Sequence, residues 1–239
     1  MNPDEKEKVS TVRWHVANKW GDSASQKAVL ELCGGLLGYG PGDSKPSSPA
    51  VTPKGSLPRV AVVVGHNSKA TGADAPDPIG DEFGFNNLVA DKMVELASEY
   101  GIEAKRFNRS YTGSYSGEIR SAYAAVDNWN PVASIELHFN DSAPEANGTE
   151  TLHSGSPKSK ALAKCVQDAM LSSLGLRDRG LKEMAKTDRG GLSVHAGKAP
   201  GILVEPFFCH NSKDFKSAVS LGIDGFARMY LSGLAKYAK

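Results

Sequence analysis

The 239-residue chain places imidazole and carboxylate groups at the ends of apolar runs, where a folded sheet would expose them. His66 directly follows such a run in VVVGHNSKATGA. Glu82 stands in DEFGFNN, His138 closes ASIELHFND and Glu205 closes GILVEPFF. Two imidazoles and one carboxylate suit a catalytic zinc, which keeps one position open for water. A separate carboxylate can then act as general base and later as general acid. Residue types and positions alone leave a second reading open, in which each group is satisfied locally and no metal is held.

The elements that must carry these groups follow from periodicity. RVAVVVG (59–65) is a near-continuous β-branched run, as expected of a strand buried on both faces. Residues 83–100 carry Phe85, Leu88, Val89, Met93 and Leu96 at helical spacing, with Gly101 as the stop. Further strands are expected at 102–107, 133–139, 148–153 and 201–207, and further helices at 118–129, from Ser156-Pro157 to Leu174, and at 213–236. Strands alternating with helices give an α/β domain around a largely parallel sheet. Sites in such sheets gather at the carboxyl ends of the strands.

Composition narrows the partners. A formal net charge of +1 offers no electrostatic case for nucleic acid or an anionic membrane. Three scattered cysteines, Cys33, Cys165 and Cys209, make neither a disulfide framework nor a cysteine metal site. No run approaches the ~18 to 20 apolar residues of a membrane span. The N-terminus lacks a basic region followed by an apolar core. The chain is therefore expected to be made soluble in a cytoplasm. Four prolines among Gly and Ser, with Pro58 directly after them, mark residues 38–57 as a linker. Residues 1–37 read as a short N-terminal segment of unknown role with a helix near 25–37, and residues 58–239 as the catalytic domain.

From Arg59 onward, about three quarters of the chain resembles the zinc N-acetylmuramoyl-L-alanine amidases of the autolysin and phage-endolysin type. That family has a strand leading into Gly-His and then Gly-Ala, as in VVVGHNSKATGA. A Glu followed four residues later by Asn matches Glu82 and Asn86, and a strand ending in His-x-Asn matches His138 and Asn140. Gly148-Thr149-Glu150, Arg179-Gly180-Leu181-Lys182 and the Pro200, Val204, Glu205, Asn211 series complete the order. The resemblance implies one Zn2+ held by His66, Glu82 and His138, with Glu205 as the catalytic carboxylate. It implies a phosphorylase/hydrolase-like central mixed sheet with helices on both faces. The expected reaction is cleavage of the amide between N-acetylmuramic acid and L-alanine of bacterial peptidoglycan.

Two departures stand out. The family's Gly-rich loop after the first ligand is here Asn67-Ser68, and Glu136-Leu137 replaces Ser-Ile before the third. Glu136 and His138 share a strand face, so Glu136 would either support a ligand or pair with a nearby Lys or Arg. Asn140, Glu150, Arg179 and Lys182 are candidates for the same supporting shell or for a substrate groove, with a charged turn as the alternative for the basic residues. His153, His195 and Cys209-His210 read as structural. The tight connection at 153–156 leaves no room for the long helical insertion of some cellular members. The chain therefore reads as a phage endolysin, which a holin would admit to the wall. The competing readings are a zinc peptidase acting within the stem peptide and a non-catalytic wall-binding module.

Overall fold

A computed structural model of the protein describes residues 57–238. The expected N-terminal segment, its helix near 25–37 and nearly all of the linker at 38–57 lie outside the described residues.

The chain begins with β1 (Arg59–Val64) and a two-residue ladder, β2 (Asp74–Ala75) with β3 (Gly80–Asp81). Helix α1 (Glu82–Leu96) follows, extended by a 3-10 turn over Ala97–Tyr100 that Gly101 ends in the left-handed conformation. Then come β4 (Glu103–Asn108), α2 (Tyr115–Trp129), β5 (Ala133–Leu137), β6 (Thr149–His153) and α3 (Pro157–Leu174). The last elements are β7 (Asp178–Glu183), the short α4 (Gly191–Val194), β8 (Gly201–Glu205) and α5 (Ser212–Ala238). Helix α3 starts and stops as the residues dictate: Ser156 caps it, Pro157 opens it and Gly175 closes it at φ +63°.

Six strands form one sheet in the order β4-β1-β5-β8-β6-β7. The first four run parallel. β6 lies antiparallel to β8, and β7 runs parallel to β6. The expected mixed, largely parallel sheet is thus present, with helices on both faces. β7 is an addition to the expected strands. Its DRGLKE sequence is partly exposed along its length, because an edge strand buries little.

Alternation sorts each strand between two layers. Val60, Val62, Val64, Ile135, Leu137, Ile202 and Val204 enter the larger core with α1, α3 and α5. Ala61 and Val63 meet Phe107, Ile119, Tyr123 and Val126 on the opposite face. Continuing that second register places Gly65, Glu136, His138 and Glu205 on one face at one rim, with Glu136 still covered by α2 and α4. The carboxyl ends of β1, β5 and β8 converge there.

Candidate active site

Glu82 begins α1, and Asp81 caps the helix by accepting from Gly84 N at 2.8 Å. The Glu82 and Phe83 amides donate to Ala73 O and Thr71 O, each at 2.9 Å, so the preceding loop is pinned beside the helix start. The Glu82 carboxylate is almost fully buried and divides its oxygens. Oε1 lies 2.9 Å from His138 Nδ1 and accepts from Phe139 N at 3.1 Å. Oε2 lies 3.1 Å from His66 Nε2 and accepts from Ala73 N at 3.0 Å. Burial alone would raise its pKa, but the hydrogen bonds and charges of His138 and His66 outweigh that and hold it well below the usual carboxylate range.

His66, Glu82 and His138 offer ligand atoms that all lie within 4.8 Å of one another. Two backbone features make this proximity possible. His66 itself adopts φ +65°, an uncommon conformation for a residue with a side chain. A Cβ at Gly65 would run into the His138 ring and the Leu137 carbonyl, and one at Gly72 into Glu82 Oε2 and His66. The glycines are spaces that the cluster fills.

The donor set fits a zinc ion. His138 Nε2 is 3.1 Å from Glu136 Oε1, so its N–H is committed to that carboxylate and Nδ1 faces the other two donors. A carboxylate behind a ligand histidine is the usual way to fix its tautomer and orientation. Burial would lower the pKa of His138, yet Glu136 and Glu82 together raise it to about 10. A cation facing Nδ1 would take the place of that extra proton.

Glu136 is fully buried and receives four groups. Tyr123 OH donates to Oε2 at 2.9 Å, and Arg109 Nη1 and Ser193 Oγ approach Oε1 at 3.2 and 3.1 Å, beside His138. Arg109 also lies 3.6 Å from Glu118. Glu118 accepts from Asn67 Nδ2 at 2.9 Å, and Asn67 Oδ1 accepts from Lys69 N and Ala70 N. This explains the departure at Asn67-Ser68. The asparagine side chain folds the loop that glycines would otherwise permit, and ties it to α2. Glu136 therefore joins both of its expected partners, the histidine and an arginine.

Glu205 ends β8 on the same rim. Its Oε2 is buried with no hydrogen-bond partner. Burial pushes its pKa up to about 8, with Glu82 and Glu150 adding to the rise against the opposing charges of His138 and Arg189. Glu150 is its cross-strand partner. Glu150 accepts from Asn140 Nδ2 at 2.8 Å and Arg179 Nε at 3.0 Å, while Lys182 stands 3.9 Å away. The structure thus gathers Asn140, Glu150, Arg179 and Lys182 into one polar wall beside Glu205.

Other residues stand apart from the cluster. His153 Nδ1 accepts from Gly155 N, and His195 Nε2 lies 2.8 Å from Met184 O. Asn211 caps α5 by accepting from Lys213 N and Asp214 N. Buried Asp214 accepts from Gly148 N and Phe208 N, tying the loop before β6 to the one after β8. Arg109, Glu118, Tyr123, Ser193 and Asp214 were not singled out by the sequence. Arg109 could have been, since it directly follows β4 at the rim that the other strand ends share.

With this geometry in place, comparison with known proteins is decisive at the family level. The N-acetylmuramoyl-L-alanine amidase family matches residues 60–233. The chain belongs to that family, whose members are cell-wall hydrolases. The chain is similar to the N-acetylmuramoyl-L-alanine amidase LytC of Bacillus subtilis (strain 168), with 34% identity over 153 residues, 63% of this chain and 29% of LytC. It is also similar to YqiI of the same organism, with 29% identity over 161 residues, 65% of this chain and 72% of YqiI. The chain thus spans less than a third of LytC. Among solved structures, the catalytic domain of the CD27L endolysin targeting Clostridia Difficile superposes with a TM-score of 0.65 at 23% identity, covering 75% of this chain and 97% of that one. The catalytic domain of CwlV from Bacillus (Paenibacillus) polymyxa var. colistinus gives 0.63 at 21%, covering 76% and 98%. Both share the fold described here.

Proposed function

We propose that the protein is a zinc-dependent N-acetylmuramoyl-L-alanine amidase that cleaves the lactyl amide of bacterial peptidoglycan, releasing stem peptides that begin with L-alanine. The observation that carries this is Glu205, a buried carboxylate with an unpartnered oxygen, on the rim where His66, Glu82 and His138 converge. Zinc held by those three residues would polarise the amide carbonyl and acidify water. Glu82 holds both imidazoles, and Glu136 fixes His138 through Nε2. The Glu205 carboxylate accepts a proton from the attacking water and returns it to the departing L-alanine nitrogen. Its raised pKa suits a group that must hold the proton between those two events.

The decisive experiment is a peptidoglycan digest analysed by mass spectrometry, with and without chelator and with zinc restored. New L-alanine amino termini that vanish on chelation and return with zinc are expected. Cleavage inside the stem peptide would make the protein a peptidase, and wall binding without release a non-catalytic module. Glu205→Ala should lower the rate about a hundred- to ten-thousand-fold while zinc stays bound.

An endolysin role is the second part of the proposal. Only Ser154, Gly155 and Ser156 separate β6 from α3, so no helical insertion covers the rim at that point. Expression in a bacterial host should then leave cells intact until a holin is co-expressed. Lysis without holin would point to another route to the wall. Residues 58–239 would form the catalytic domain of this enzyme.

A further inference from the structure

A second convergence of donor atoms lies beyond the carboxyl ends of β5 and β8. Asp141, Cys209 and His210 each present one ligand atom, all within 4.8 Å of one another. His210 Nδ1 lies 2.7 Å from Asp141 Oδ1 and 3.4 Å from Cys209 Sγ. One ring nitrogen therefore faces two partners, and its single N–H cannot point at both. A cation at the shared point would serve all three donors.

The backbone beneath them is fixed. Asn140 N donates to Phe207 O and Cys209 N donates to Asn140 O, each at 2.9 Å, and a parallel bridge pairs Asn140 with Phe208. Asn211 Nδ2 donates to Pro144 O at 2.7 Å, closing the far side. Cys209 is fully buried, whereas the side chains of Asp141 and His210 are each 43% exposed. The thiol forms a floor and the other two groups form an open mouth.

Tetrahedral zinc, with bonds of ~2.3 Å to sulfur and ~2.1 Å to nitrogen or oxygen, separates its donors by about 3.3 to 3.6 Å. The sulfur–nitrogen spacing already fits. The nitrogen–oxygen spacing must widen by roughly 0.7 Å, which two half-exposed side chains can supply. The same three residue types can also serve as a nucleophile with its base and orienting acid, but that arrangement needs the two ring nitrogens to face different partners. Here both partners meet Nδ1.

We propose that Cys209, His210 and Asp141 form a second divalent-metal site, suited to thiolate-accepting ions such as Zn2+, Co2+ and Cd2+ and leaving one position to solvent. On binding, the Cys209 S–H bond breaks, its proton leaves to solvent through the open mouth and a sulfur–metal bond forms. The site stands independently of the reading given to His66, Glu82 and His138.

The test is a titration of the metal-stripped full chain with Co2+, followed by the near-ultraviolet thiolate-to-cobalt charge-transfer absorption. Two equivalents and a thiolate band are expected. Cys209→Ser and His210→Ala should each lose the band and one equivalent. Cys33→Ser and Cys165→Ser should keep both, and His138→Ala should keep the band while losing the other equivalent. A parent protein that binds Co2+ without a thiolate band would overturn the proposal, as would a band that survives in Cys209→Ser. His210 is half-exposed, so its variant remains informative should Cys209→Ser fail to fold.

Discussion

Glu205 carries a buried carboxylate oxygen without a hydrogen-bond partner. Its pKa of about 8 means that the folded chain holds this proton more tightly than the unfolded chain does. The associated stability is whole below the ordinary carboxylate range and is lost as pH rises through about 8. Glu205→Gln, which cannot ionise, should therefore melt increasingly above the parent between pH 5 and pH 9 in the presence of chelator. Equal melting temperatures across that range would show that the carboxylate is not strained by burial. Glu136→Gln should weaken zinc binding about 10- to 100-fold and leave the circular dichroism unchanged. Unaltered affinity would reduce Glu136 to a partner of Arg109 alone. The four principal site residues were legible because each ends a strand or opens a helix. Asn67, Arg109 and Glu118 were not, because their meaning lies in pairings such as Asn67 with Glu118, 51 positions apart. A glutamate in the first turn of a helix reads as a helix-dipole partner, and nothing local says that it is buried.

At the scale of elements, strand alternation does most of the positioning. β1 beyond Arg59 and all of β5 are buried, and their shared register brings Gly65 against the His138 ring. Gly65→Ala should displace that ring, abolish tight zinc binding and cost about 1–3 kcal/mol in stability. Isothermal titration and thermal melting would check both, and retained affinity would mean that the ring has room to move. Helix limits were legible where caps are chemical, as at Ser156-Pro157 and Gly175. β7 was missed because its exposed DRGLKE lacks an apolar alternation to announce it. A sheet neighbour, β6, is what makes it a strand. The long α5 also hides a break at Gly222, where φ is +64° and ψ 174°. Its apolar periodicity continues across the break, so hydrophobic spacing alone reads through it.

Across the whole molecule, the rim rests on a floor of aromatic rings. Phe207 stacks within 5.0 Å of Phe139 and 5.8 Å of Phe226, with Phe85 at 6.2 Å. Phe139 adjoins His138 and Phe207 lies two residues past Glu205, so packing and chemistry share the same stretches of chain. Phe207→Ala should cost about 3–5 kcal/mol and impair zinc binding in proportion. A large loss of stability with unchanged affinity would uncouple floor from rim.

The reversal of direction between β8 and β6 has a consequence of another kind. Because β6 and β7 run backwards, the rim collects the beginnings of two strands alongside the ends of four others. His66 and His138 stand just after strands, whereas Glu150 stands at the start of one. Changes of length at 142–147 would therefore act on the Glu150 side of the rim while leaving the connections that carry His66 and Glu82 intact. The sheet thus builds one rim from chain that arrives in opposite directions.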